Sequence, residues 1–294
     1  MSAATFDRRN ERVTLAPYLL SGPALLVLGT LLVIPLVATA VLSLHSFSLY
    51  KGIQNVYNFD NYVDIFTDPY FYAIYARTFR IALIVTLLSI LLGAPEAYIL
   101  NRMRDPWRSG FLLVVLGPLF ISIISRTLGW ALLFGSTGLV NQGLVALGLI
   151  DRPLQFMYSE TGIVIALTHV LVPFMVISVW ASLQRLDPQI ENAALSLGAR
   201  SGTILRRILL PQVLPGVLSG SIIVFALAAS AFATPAIIGG RRLQVAATLA
   251  YDEFLNTLNW PLGAAIAMLL LVAILAIILG CNRLVERRYA QVFE

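Results

Sequence analysis

Few residues in this chain could do chemistry, and those few are scattered. Among 294 residues there are two histidines, His45 and His169, and one cysteine, Cys281. A single cysteine excludes an intrachain disulfide and a cysteine-based metal site, and the histidines lie too far apart in sequence to suggest a metal pair. No glycine-rich phosphate loop ending in Lys and Ser or Thr is present, nor a His-Glu-x-x-His pair. A serine nucleophile would need a general base beside it. The expectation is a non-catalytic chain with no metal and no cofactor of its own.

What remains are polar and helix-breaking residues embedded in apolar runs, where a charge needs a reason. Glu96 follows Pro95 near the end of one run; it either snorkels to the interface, pairs with a nearby Arg, or attracts cations along a pathway. Arg126 sits inside another run and is expected to face a bundle interior or an aqueous cavity. Thr234 and Pro235 interrupt a third run just before Gly239 and Gly240, and such a break belongs beside a cavity or a protein interface because lipid cannot satisfy the freed carbonyls. His169 and Pro173 read as packing and kink residues. Tyr251, Asp252 and Glu253 form a polar cluster that either is a solvated loop or contacts a partner or a cationic solute.

The elements that hold these residues follow from composition. The chain is 59% hydrophobic and only 12% charged, against about 25% charged residues in ordinary soluble domains, and its mean hydropathy is +0.84. Much of its surface must face hydrocarbon. A span needs roughly 20 apolar residues, and six stretches qualify: 17–43, 78–100, 111–135, 161–183, 215–238 and 261–281. The first is about 28 apolar residues long with no small-residue cleavage site, so it reads as an uncleaved span. The segments 101–110, 183–207 and 282–294 are too charged to stay in lipid. This gives an all-α polytopic membrane protein: a segment 1–16, a membrane domain 17–281 with a large loop at about 184–212, and a tail 282–294.

Orientation follows from Lys and Arg. Arg8, Arg9, Arg12, Arg102, Arg104, Arg108, Arg185, Arg200, Arg206, Arg207, Arg283, Arg287 and Arg288 fall on one side, while Lys51, Arg77, Arg80, Arg126, Arg152, Arg241 and Arg242 fall on the other or within spans. Both termini are therefore expected in the cytoplasm. The same spread over short loops argues against nucleic acid as a partner. Residues 45–77, on the outer side, carry ten aromatics and read either as an interfacial belt with a short amphipathic helix or as a docking surface for an extracytoplasmic partner.

The large cytoplasmic loop reads as two short helices joined by a turn. Asp187 is a good N-cap and Pro188 suits the first helical position. Ile190, Ala193, Ala194 and Leu197 recur at i, i+3, i+4 and i+7 on one face, and Gly198 can take the left-handed conformation that ends such a helix. Ile204, Leu205, Ile208 and Leu209 make a second apolar face before Pro211. The stripe either packs beneath its own bundle or enters a groove on another protein.

On these residues the chain resembles the permease subunits of ABC importers. Their cytoplasmic signature is Glu-Ala-Ala, three residues, Gly, nine residues, then Ile-x-Leu-Pro; here Ala193, Ala194, Gly198, Ile208, Leu210 and Pro211 fall on that spacing. Asn192 holds the glutamate position and Glu191 stands one place early. The stretches 78–100 (with Gly93, Pro95, Ala97 and Tyr98), 136–176, 230–240 and 258–265 are similar to the spermidine/putrescine-type branch, which includes relatives resembling importers of iron, phosphonates and opines.

The resemblance implies a type I importer permease fold of six transmembrane helices, with a coupling helix between spans 4 and 5 that sits in a cleft of an ATPase subunit. It implies two copies of that ATPase, which would bind ATP and Mg, a second homologous permease in a heterodimer, and an extracytoplasmic solute-binding protein. The expected location is the bacterial inner membrane, and the expected mechanism is alternating access. A polyamine such as spermidine or putrescine is the solute by resemblance; an opine, phosphonate, iron or an amino-acid-like compound are alternatives within the class. An ion-driven secondary transporter would require inverted repeats and midplane ionisable residues, and a membrane-bound enzyme or assembly factor would act without any ATPase partner.

Overall fold

The computed structural model describes residues 16–293. Arg8, Arg9, Arg12 and the rest of the expected N-terminal segment up to residue 15 lie outside the described residues, as do the side chains of Arg287 and Arg288. Among the described residues six helices are long and apolar enough to cross a membrane: Ser21–Leu42, Pro69–Arg102, Ile123–Ala146, Glu160–Leu183, Gly202–Ala229 and Trp260–Arg283.

The first helix, α1 (Ala16–Leu42), is apolar all round, and no residue of its most hydrophobic window is buried within the chain. Its end leads into a hairpin, β1 (His45–Ser48) with β2 (Gly52–Tyr57), and then α2 (Asp60–Thr67). The expected short helix is thus present, but a hairpin precedes it. Tyr62 of α2 shares a 2.7 Å hydrogen bond with Ser43, and Asn61 donates to the carbonyls of Ser43 and His45. These bonds tie the outer loop to the end of α1.

The core is three helices: α3 (Pro69–Arg102), α7 (Glu160–Leu183) and α10 (Leu210–Ala229). α7 is central, with Ile163, Leu167, Leu171, Met175 and Val179 all buried. Small residues let α10 approach it closely: a Cβ on Gly216 would stand 2.4 Å from Ser182 Oγ and 2.7 Å from the Ser178 carbonyl. α11 (Ala246–Leu255) packs on α12 (Trp260–Phe293), which closes the bundle.

Two expected spans are drawn differently. The stretch 111–135 is not one helix: α4 (Trp107–Phe120) stops, and α5 (Ile123–Phe134) begins after Ile121 and Ser122, followed by α6 (Leu139–Ala146). Pro118 has no N–H to give and clashes with the preceding turn, so the helix ends beside it. The stretch 215–238 begins earlier and ends earlier. It runs on from the short α9 (Ser201–Ile204) through a π-helical turn at Leu205–Leu209, and α10 stops at Ala229. A second π-helical turn, Pro235–Gly239, follows the break.

Candidate functional site

In the loop between Leu183 and Gly202, α8 (Pro188–Ser196) is built as its sequence dictates. Asp187 Oδ1 accepts from the Gln189 N–H at 2.9 Å. At the other end Gly198 has φ +81°, its N–H donates to the Leu195 carbonyl at 2.9 Å, and the Ala199 N–H reaches back to the Ala194 carbonyl at 3.0 Å. This is a Schellman cap, which needs a residue in the left-handed region at that point.

One face of α8 is held to the bundle and the other is left open. Glu191 pairs with Arg102 at the end of α3, and the Arg102 guanidinium also lies 5.2 Å from the centre of the Tyr98 ring. Gln184 Nε2 donates to Asn101 Oδ1 at 2.7 Å. Tyr98, Asn101, Asp187, Ile190, Ile208 and Gln212 contribute to the walls of a cavity of about 200 Å³ here. Away from the bundle, Asn192, Ala193 and Leu197, the C-cap, are exposed, Leu197 at 89%; Leu195 is 50% exposed, Ile190, which borders the cavity, 44%, and Ala194 is half-buried. Of the second apolar face, Ile204 and Leu209 are buried in the bundle and Ile208 half-buried, while Leu205, Leu210 and Pro211 are exposed. That face therefore belongs to a continuous helix entering the membrane and not to a separate short one.

Within the membrane domain, the break after α10 and the break before α5 meet. Arg126 and Thr234 line one cavity of about 450 Å³ with Leu167, Val170, Leu171 and Phe174 of α7, and with Ser230 and Phe232. The Thr127 and Thr234 hydroxyls share a hydrogen bond of 3.2 Å. Arg126 Nη1 donates to the Pro118 carbonyl, which also accepts from the Ile121 N–H at 3.3 Å, while its Nε is buried without a partner among the described residues. Pro235 is buried in the π-helical turn below Thr234. Glu96 is not brought to this cavity. It is half-buried on α3 and has no ion pair among the described residues, so the Arg-pairing reading does not hold; Arg102 is engaged by Glu191 instead. His169 accepts from Trp130 Nε1 at 3.2 Å, a packing contact.

Tyr251, Asp252 and Glu253 lie on α11 and not in an irregular loop. The Tyr251 ring packs on Phe232 at 4.6 Å. Asp252 stands 3.7 Å from Arg241, and Glu253 Oε2 accepts from Thr257 at 2.5 Å. Nearby, Glu160 at the start of α7 pairs with Arg80 at 2.5 Å and Arg77 at 3.4 Å, and Arg77 also donates to the Gln244 carbonyl at 2.9 Å. These ties join α3, α7 and the segment before α11. Sequence reading missed them because no local spacing links residues 80 or more positions apart.

A multi-pass helical bundle that ends one loop in a capped helix with an exposed apolar face is the architecture of an importer permease. The chain belongs to the family described as binding-protein-dependent transport system inner membrane component, whose model matches residues 156–291; it is a non-catalytic permease subunit of an ABC importer, an assembly whose ATPase is a separate chain. It is 30% identical over 220 residues to the spermidine/putrescine transport system permease protein PotB of Escherichia coli strain K12, covering 75% of this chain and 80% of that one. Its identity to the protein of the same name from Salmonella typhimurium strain LT2 is 28% over 245 residues, with 82% and 85% covered. In fold it matches a chain of a bacterial ABC transporter involved in alginate import, with a TM-score of 0.72 at 21% identity over 93% of this chain and 97% of the other.

Proposed function

We propose that this chain is one of two permease subunits in an ATP-driven importer, that α8 and the turn at Gly198 seat in a cleft of the ATPase with the start of the next helix behind them, and that the solute is an organic amine, with spermidine and putrescine the first to test. The observation that carries the coupling role is the open side of α8 and its cap: Ala193, Leu195 and Leu197 are exposed outside the membrane spans, where water must solvate them unless a partner covers them. Ala193 and Ala194 permit close backbone approach, and the Schellman cap at Gly198 sets the direction in which the chain returns to the membrane.

The full assembly is two ATPases, each binding ATP and Mg, this chain with a second and similar permease, and an extracytoplasmic binding protein that delivers solute on the side of Tyr251, Asp252 and Glu253. The excess of Arg on one side of the spans supports cytoplasmic termini. Closure of the ATPases would move α8, and the Arg102–Glu191 pair would carry that movement to α3. Arg126, Thr234 and Pro235 line or flank the route, with Glu96 nearer the cytoplasm. The amine assignment is supported by the similarity to spermidine/putrescine permeases. A second reading, an amine that also bears a carboxylate, is favoured by the unpaired Arg126. The test is to purify the tagged chain with its co-expressed neighbours, reconstitute the complex with its binding protein, and measure solute-stimulated ATP hydrolysis. Stimulation by an amine supports the reading; recovery of a folded chain with no ATPase bound contradicts it.

A further inference from the structure

The Arg126 cavity has features that a passive helix break does not explain. Arg126 has no carboxylate within ion-pair distance among the described residues, and its Nε is buried without a hydrogen-bond partner. The bond from Nη1 to the Pro118 carbonyl, which also accepts from the Ile121 N–H, leaves the positive charge uncompensated among the described residues. Most of the surroundings are apolar, including Leu167, Val170, Leu171 and Phe174 near the middle of α7. An ionised group at such depth marks a pathway or pairs with a counter-charge, and removal from water without that counter-charge is costly.

The walls define what the counter-charge belongs to. A guanidinium presents a planar fork of donors that matches a carboxylate. The Ser230 and Thr234 side chains line the same cavity. Phe232, backed by Tyr251 at 4.6 Å, supplies an aromatic wall, and aromatic faces attract ammonium groups. The volume, about 450 Å³, falls within the range of small-molecule sites.

We propose that this cavity is a solute subsite in which Arg126 holds the carboxylate of an amino-acid-like amine and Phe232 meets its ammonium group. The proposal rests on the importer reading and argues its second solute, an amine with a carboxylate, against its first, a polyamine bearing positive charges alone, which Arg126 would repel.

The matched probes are ornithine and putrescine, which differ only by the carboxylate. Binding of each to the purified permease–ATPase complex, without the binding protein, is measured by calorimetry. Ornithine is expected to bind at least about tenfold more tightly, the scale of one charge-assisted hydrogen bond. Arg126→Gln removes the preference, and Arg126→Lys keeps part of it. Equal or tighter binding of putrescine, or a preference unchanged in Arg126→Gln, overturns the subsite and leaves the importer reading intact. If Arg126→Gln does not assemble, the comparison on the unaltered complex decides, with Phe232→Leu expected to weaken both probes. A complex that hydrolyses no ATP overturns the importer reading instead.

Discussion

Gly198 offers the sharpest perturbation of the coupling loop, because the structure separates its two possible effects. Its φ of +81° lies where side chains other than glycine are strained, at roughly 1–2 kcal/mol for most L-residues and less for Asn. A Cβ built there meets nothing within 4 Å in the chain, so there is no steric cost within this subunit. Gly198→Ala should therefore unseat the α8 cap by about 1 kcal/mol and weaken ATPase association about fivefold. Gly198→Asn should cost a few tenths of that, and Gly198→Val more than Ala because a β-branched residue is least suited to positive φ. The assay is the affinity of the purified permease pair for its ATPase, read by titration beside the melting temperature of the permease alone. The order Gly, Asn, Ala, Val is the expected result. If Asn is as damaging as Val, size against the partner and not backbone conformation governs the site; if none of the three matters, α8 does not dock.

Gly216→Ala is expected to lower the stability of the chain by about 1–3 kcal/mol through overpacking, since its Cβ would fall 2.4 Å from Ser182 Oγ; thermal unfolding in detergent checks this. Glu191→Arg should reduce solute-stimulated ATP hydrolysis more than it reduces stability, the exposed pair being worth at most about 1 kcal/mol, and the exchange Arg102→Glu with Glu191→Arg should restore coupling if the pair transmits movement between α8 and α3. Glu160→Gln should loosen the start of α7 from α3, where it holds Arg77 and Arg80, and raise hydrogen exchange in the first turn of α7 and around Arg77 and Arg80 in α3.

The sequence made the helical class, the number of spans and the α8 cap legible, because each rests on local rules: apolar length, an Asp-Pro start and a glycine stop. Asp187, Pro188 and Gly198 do what their types require. The division of the third span was not legible, since Pro118 and Ser122 stand in an apolar run whose length alone predicts one continuous helix. Arg126 and Thr234 were singled out separately, each as a polar residue in an apolar run. Their convergence on one cavity depends on packing that brings together residues 108 positions apart. Glu96 illustrates the reverse, a charge conspicuous in sequence that the fold leaves away from that cavity. The Glu191–Arg102 pair gives the displaced acid of the loop an inward role that spacing alone could not assign.

The central claim is that the open face of α8 docks on an ATPase, and site-directed cross-linking tests it most directly. With the exposed Cys281 replaced by serine, a cysteine is placed at Leu197, 89% exposed on α8, and separately at Tyr50, 99% exposed in the hairpin. In membranes containing the assembled importer, Leu197→Cys is expected to cross-link to the ATPase in a nucleotide-dependent manner, and Tyr50→Cys is expected not to. An assembled, active complex in which Leu197→Cys never reaches the ATPase would contradict the account.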